Sequence, residues 1–262
     1  MSDDILSLPP EPADTRIAYG PDPNQFFELR LPATMHAKAP YPLVINIHGG
    51  YWRARYDLIH AGHICTALTA QGLATANLEY RRVGNPGGGW PGTFEDIRAG
   101  YNALLHSAEE YSVDSSRVLI MGHSTGGQLA LCLAAHEPGG VRSVISLAGV
   151  VDLQRAYELH LSHDAVVEFF GGSPEEVPIR YREADPMQLS VRAEQILFHG
   201  SNDEEVPPNF SRIYVANKNK RTGKEKENVR LVEIPGAGHY DLIDPRTAAW
   251  KQVERAVLQL LL

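Results

Sequence analysis

Six short stretches of the chain, residues 43–47, 74–80, 118–121, 144–147, 195–199 and 229–234, are almost continuously apolar and rich in β-branched side chains. Residues 58–71, 93–110, 126–136 and 245–261 lie between or after them and carry apolar residues at helical spacing, the last opening on Pro245. Strands that are apolar at every position suit a sheet buried on both faces, with helices as the crossovers. The pattern therefore predicts an α/β fold with a mostly parallel central sheet and helices on both sides. Residues 26–31 alternate instead, as an edge strand leading into the sheet would. Residues 152–190 break the rhythm, with short helical pieces at 156–161 and 165–170 before Gly171-Gly172-Ser173-Pro174. Such an insertion is either a small cap over a pocket or an irregular crossover. The charged run 217–226 reads as a solvated loop before the last strand, and no repeat of solenoid or propeller period is present.

At 262 residues the chain is expected to form one domain, 1–262, with a substantial core. Its 43% hydrophobic and 21% charged residues are those of an ordinary globular protein, and a net charge of -8 argues against nucleic acid as a partner. The first residues, MSDDILSLPPEPADTR, have neither the basic start nor the apolar run of an export or membrane-spanning segment, which predicts a cytoplasmic protein without a membrane partner. Cys65 and Cys132 sit in apolar helical stretches and read as buried free thiols.

The candidate chemistry begins at Gly122-His123-Ser124-Thr125-Gly126, where a buried strand gives way to a helix of small and apolar residues. A serine at so sharp a turn takes a strained backbone, and its flanking glycines avoid clashes with the neighbouring elements. Ser124 would stand at the helix N-terminus, where free N–H groups favour negative charge. A serine hydroxyl needs a base, and a base needs a carboxylate to orient it. Asp203 follows the strand at 195–199, and His239 follows the strand at 229–234, so both belong to the rim that carries Ser124. Glu204 and Glu205 are rivals to Asp203, which lies nearer the strand end. His123 is expected to point away from Ser124 across the turn, and His199 to be structural. His60 and His63 lack a carboxylate or cysteine cluster at ligand spacing and read as surface or satisfied histidines, so no metal is expected.

His48-Gly49-Gly50-Tyr51-Trp52 opens from the first apolar strand. Together with the Ser124 elbow it resembles the arylformamidase (kynurenine formamidase) and carboxylesterase branch of the α/β-hydrolases, in which an HGGxW loop forms an oxyanion hole. The resemblance runs in motif order from about Tyr19 to the C-terminus. It implies Ser124, Asp203 and His239 as a triad, Gly50 or Tyr51 with Thr125 as the oxyanion donors, and no cofactor. The expected function is hydrolysis of a small carboxylic ester through an acyl-enzyme. An aryl formamide such as N-formylkynurenine is the alternative substrate, and a non-catalytic binding protein on the same fold is the contrasting class. A peptidase of the prolyl-oligopeptidase type ranks behind these. Trp52 and Trp90, with Phe169 or Phe170, could line the pocket or simply pack the core.

Overall fold

The computed structural model describes residues 2–33, 38–223 and 226–262. Eight strands, β1 (Thr15–Ala18), β2 (Phe26–Arg30), β3 (Tyr41–Ile47), β4 (Ala74–Leu78), β5 (Val113–His123), β6 (Ser143–Leu147), β7 (Glu194–Gly200) and β8 (Val229–Ile234), form one sheet. Their order is β1-β2-β4-β3-β5-β6-β7-β8; β1 and β2 pair antiparallel, as do β2 and β4, and every later pair is parallel. Together with the helices on its two faces this is the α/β-hydrolase fold.

Every residue of β3 and β4 is buried, which is why these runs carry no polar alternation. Along β3 successive side chains serve opposite faces. Leu43, Ile45 and Ile47 join one core with helices α2 (Gly92–His106) and α3 (Thr125–His136), whereas Val44 joins the other with α1 (Gly62–Ala70) and α8 (Ala248–Leu261). Cys65 and Cys132 are buried free thiols in these two different cores, and burial pushes the Cys65 thiol up to about 12.

Several expectations shift. The run 26–31 is not the edge: β1 pairs with β2 along Thr15↔Leu29 to Ala18↔Phe26, and its four residues are too short to stand out by periodicity. The last helix does not open on Pro245; Thr247 caps it, its hydroxyl accepting the Trp250 N–H at 3.0 Å. The start of the charged run belongs to helix α7 (Asn209–Lys218), which packs Phe210 and Tyr214 against the sheet, while Lys224 and Glu225 lie outside the described residues. Between β6 and β7 stand α4 (Leu153–Glu158), α5 (Ala165–Phe170) and α6 (Pro178–Ala184). Among the described residues no helix is long and apolar enough to cross a membrane.

The parallel register brings the strand ends together. Ile47 stands opposite Gly122, His123 opposite Leu147, and Gly200 opposite Ile234, so the loops leaving β3, β5, β7 and β8 share one rim.

Candidate active site

Ser124 sits between β5 and α3 with φ 56° and ψ -122°, outside the regions that side chains prefer. The turn is fixed on both sides: the Ser124 N–H donates to the Leu147 carbonyl at 2.8 Å, and the Ser124 carbonyl accepts the Gly127 N–H at 3.0 Å. A Cβ on Gly122 would overlap the Gly126 carbonyl, and one on Gly126 would overlap the carbonyls of Ile47 and His48. Both glycines are thus required by contact. Ser124 and His239 line a cleft of about 130 Å³.

Asp203 lies just past β7, and its Oδ2 accepts the Nδ1–H of His239 at 2.7 Å. That bond leaves Nε2 as the lone-pair nitrogen of His239. Asp203 Oδ1 accepts the N–H groups of Glu205 and Val206 at 2.9 and 2.8 Å, which turns the carboxylate inward while Glu204 and Glu205 stay exposed. His199 supplies a second histidine to the same carboxylate. Its Nδ1 accepts from the Ser211 hydroxyl at 2.7 Å, so its Nε2–H is shared between the Val206 carbonyl at 2.8 Å and Asp203 Oδ2 at 3.2 Å. Burial alone would push Asp203 up, but the hydrogen bonds from His199 and His239 outweigh it and hold the carboxyl well below the usual carboxylate range.

His123 departs from expectation, because it lines the cleft. Its Nε2–H donates to the His239 carbonyl at 3.1 Å, and the two rings lie 4.4 Å apart. β5 runs to His123, the residue before Ser124, and the His123 side chain lies on the His239 side. Burial, then the neighbouring His239 and His60, drives His123 well below the ordinary imidazole range. His60 also lines the cleft and is lowered to about 3, by burial and then by His48. His63 instead bonds the Leu8 carbonyl at 3.0 Å through Nε2.

The loop after β3 runs through three left-handed residues, Gly50 (φ 116°), Tyr51 (φ 52°) and Trp52 (φ 56°). Only Gly50 takes such a φ freely; the two aromatics carry strain on the order of 1–3 kcal/mol each. A Cβ on Gly49 would lie 2.8 Å from the His123 carbonyl oxygen and 2.9 Å from Ser124 Cβ, so the glycine lets this loop press on the elbow. Behind it, the Tyr80 hydroxyl donates to the His48 carbonyl at 2.7 Å, and His48 Nε2 meets Glu79 Oε1 at 3.0 Å. Burial would raise the Glu79 carboxyl, yet His48 and Arg82 hold it below its usual range. The N–H groups of Gly50, Tyr51 and Thr125 donate to no backbone carbonyl among the described residues. Gly50 and Tyr51 line the cleft together with Ser124, and Thr125 follows Ser124 as the first residue of α3.

Trp52 and Trp90 do not line the cleft, and nor do Phe169 and Phe170. Trp52 is fully buried, stacks on Phe169 at 4.7 Å and donates its indole N–H to Gln128 Oε1 at 3.1 Å; Trp90 stacks on Phe94 at 5.3 Å. The left-handed φ of Trp52 turns its ring away from the cleft and into the core. The cleft walls that sequence reasoning missed are Tyr56, Tyr240 and Leu6. Leu6 belongs to a 3-10 turn at Ser2–Ser7, whose neighbour Ile5 is buried, and an isolated Ile-Leu pair gives no periodic signal.

The chain is 26% identical over 251 residues to esterase LipC of Mycobacterium tuberculosis, an alignment covering 87% of this chain and 60% of that protein. It is 22% identical to a probable isoprenylcysteine alpha-carbonyl methylesterase of Arabidopsis thaliana, covering 86% of this chain and 50% of the relative. The chain thus spans half to three fifths of the length of these relatives. The structure of an inhibited esterase B from Lactobacillus rhamnosis superposes with a TM-score of 0.79 at 21% identity, over 99% of this chain and 90% of that one. The model of the BD-FAE family matches residues 28–217. This chain belongs to the BD-FAE family, on the α/β-hydrolase fold.

Proposed function

We propose that this protein is a serine esterase acting on small, uncharged carboxylic esters. The observation that carries this reading is the 2.7 Å bond from His239 to Asp203 beside a serine held at φ 56° in the same cleft. His239 Nε2 takes the proton of Ser124 as its Oγ attacks the ester carbonyl. Asp203 keeps the imidazole in the required tautomer and stabilises the imidazolium. The N–H of Thr125, with that of Gly50 or Tyr51, receives the oxyanion, and the α3 N-terminus adds its dipole. His239 then protonates the departing alcohol, and water activated by the same nitrogen releases the acid.

A cleft of about 130 Å³ fits a short acyl group. Glu205 is exposed at its edge, and its carboxylate disfavours anionic substrates. The esterases among the relatives support ester chemistry, whereas the aryl-formamide alternative has no relative among those named above to support it. The test is a side-by-side assay of p-nitrophenyl acetate and butyrate against N-formylkynurenine. Turnover of the esters that Ser124→Ala reduces by about 10⁴-fold or more is expected. Preferential turnover of the formamide would replace the substrate, and no turnover of any with retained ligand binding would favour a binding protein.

A further inference from the structure

None of residues 152–190 lines the cleft, yet this insertion grips the Gly50–Trp52 loop from behind. Trp52 stacks on Phe169 of α5, and through Gln128, whose Nε2 donates to the Ala184 carbonyl at 2.9 Å, it is tied to α6. The next residue, Arg53, spends its whole guanidinium on the insertion. Its Nε donates to Glu168 Oε2 at 2.7 Å, Nη1 to the Ser162 hydroxyl at 3.1 Å, and Nη2 to the carbonyls of Ser162 and His163 at 2.9 and 3.3 Å.

Both ends of this clasp are strained. The insertion turns through His160, Ser162, His163 and Asp164 at φ 51°, 49°, 56° and 59°, and the loop it faces has its own left-handed run at Gly50–Trp52. Backbone of this kind persists only where its surroundings over-determine it. The planar fork of an arginine can bind a carboxylate, a hydroxyl and two carbonyls at once, which a lysine cannot. The Arg53 backbone is meanwhile pinned: it forms a parallel bridge with Val83, whose N–H donates to the Trp52 carbonyl at 2.8 Å. The Arg53 N–H also donates to the Gly50 carbonyl at 3.0 Å, which closes the turn and ties the position of Arg53 to that of the Gly50–Trp52 loop.

We infer that the insertion between β6 and β7 is a buttress for the oxyanion loop rather than a lid over the cleft, and that Arg53 is a positioning residue that aims the Gly50 and Tyr51 N–H groups at the reacting carbonyl oxygen. The inference rests on the serine-esterase reading. Its signature is a loss confined to the transition state, because substrate docking uses other walls of the cleft.

The test measures kcat, KM and melting temperature on p-nitrophenyl butyrate, and affinity for an alkyl trifluoromethyl ketone, for wild type, Arg53→Met, Arg53→Lys and Glu168→Gln. Arg53→Met should lower kcat about 10- to 100-fold, approaching the loss of one oxyanion donor, with KM within about threefold and ketone affinity reduced by the factor seen in kcat. Arg53→Lys should fall between, and Glu168→Gln should lower both readouts about two- to fivefold. The two milder variants decide the matter if Arg53→Met does not fold. Retained kcat and ketone affinity in the folded variants, or a fall in melting temperature alone, would overturn the inference while leaving the esterase intact. A wild type inert toward every ester and toward the ketone would overturn the esterase reading and this inference with it.

Discussion

Asp203 Oδ2 receives the Nδ1–H of His239 at 2.7 Å and is approached at 3.2 Å by Nε2 of His199, which the Val206 carbonyl and Ser211 hydroxyl hold in place. One buried carboxylate thus joins a histidine of the cleft to a histidine of the core. Asp203→Asn keeps the shape but offers His239 the wrong tautomer. It should lower kcat by about 10⁴, as the corresponding change does in the serine-protease template. Glu204→Gln and Glu205→Gln should each stay within about tenfold of wild type on a neutral ester. Steady-state kinetics on p-nitrophenyl butyrate checks all three, and a larger loss in either glutamate variant than in Asp203→Asn would move the orienting role.

His60, half-buried, and His123, buried, are neutral bases in the cleft wall, His60 lowered to about 3 and His123 well below its ordinary range. Between about pH 6.5, where a free imidazole protonates, and those lower values, the unfolded chain binds protons that the fold refuses. Stability should therefore fall as pH drops below about 6.5, by up to about 1.4 kcal/mol per pH unit for each such ring. Asp203, held ionised, adds loss of the same sign only below about pH 4, where its unfolded form protonates. Urea melts at pH 7, 6 and 5 should show the decline, and His60→Gln should make it shallower. A wild-type stability flat across that range would contradict the neutral assignment.

The elbow glycines have no room for a methyl group. Gly126→Ala forces its Cβ into the Ile47 and His48 carbonyls, which join the strand to the loop that faces Ser124. Backbone must move, at a cost of about 2 kcal/mol or more. Chemical denaturation should report that loss together with a collapse of kcat. A fully stable, active Gly126→Ala protein would show that the turn relaxes without consequence.

Leu6 forms one wall of the cleft from a 3-10 turn anchored by buried Ile5. Its size should help set the acyl length accepted. Leu6→Ala should raise the ratio of kcat/KM for p-nitrophenyl hexanoate over acetate by about tenfold, and Leu6→Trp should lower it by a similar factor, since one or two methylenes in an apolar site carry that much discrimination. A chain-length profile identical in all three proteins would remove Leu6 from the specificity wall.

Much of this was legible in the chain because burial on both faces writes itself as continuous apolar runs. All six core strands lie where those runs stand, and Ser124, Asp203 and His239 follow three of them in order. What escaped were elements without such a signature. Thr15–Ala18 is four residues at the sheet edge, and α7 runs into the charged stretch 217–226 that reads as a loop. Side-chain direction escaped as well. The sequence places Trp52 in the loop after β3, with its ring open to the cleft or the core, but at positive φ the ring lies in the core against Phe169, and His123, expected to point away from Ser124, lies against His239. Spacing alone carries no record of a left-handed residue that is not glycine.

The most direct measurement is covalent labelling by an alkyl fluorophosphonate followed by peptide mapping. One adduct per chain on Ser124, abolished in Ser124→Ala and strongly slowed in Asp203→Asn, is the expected result. A folded wild type left unmodified, or modified at another serine, would contradict the assignment of Ser124 as nucleophile.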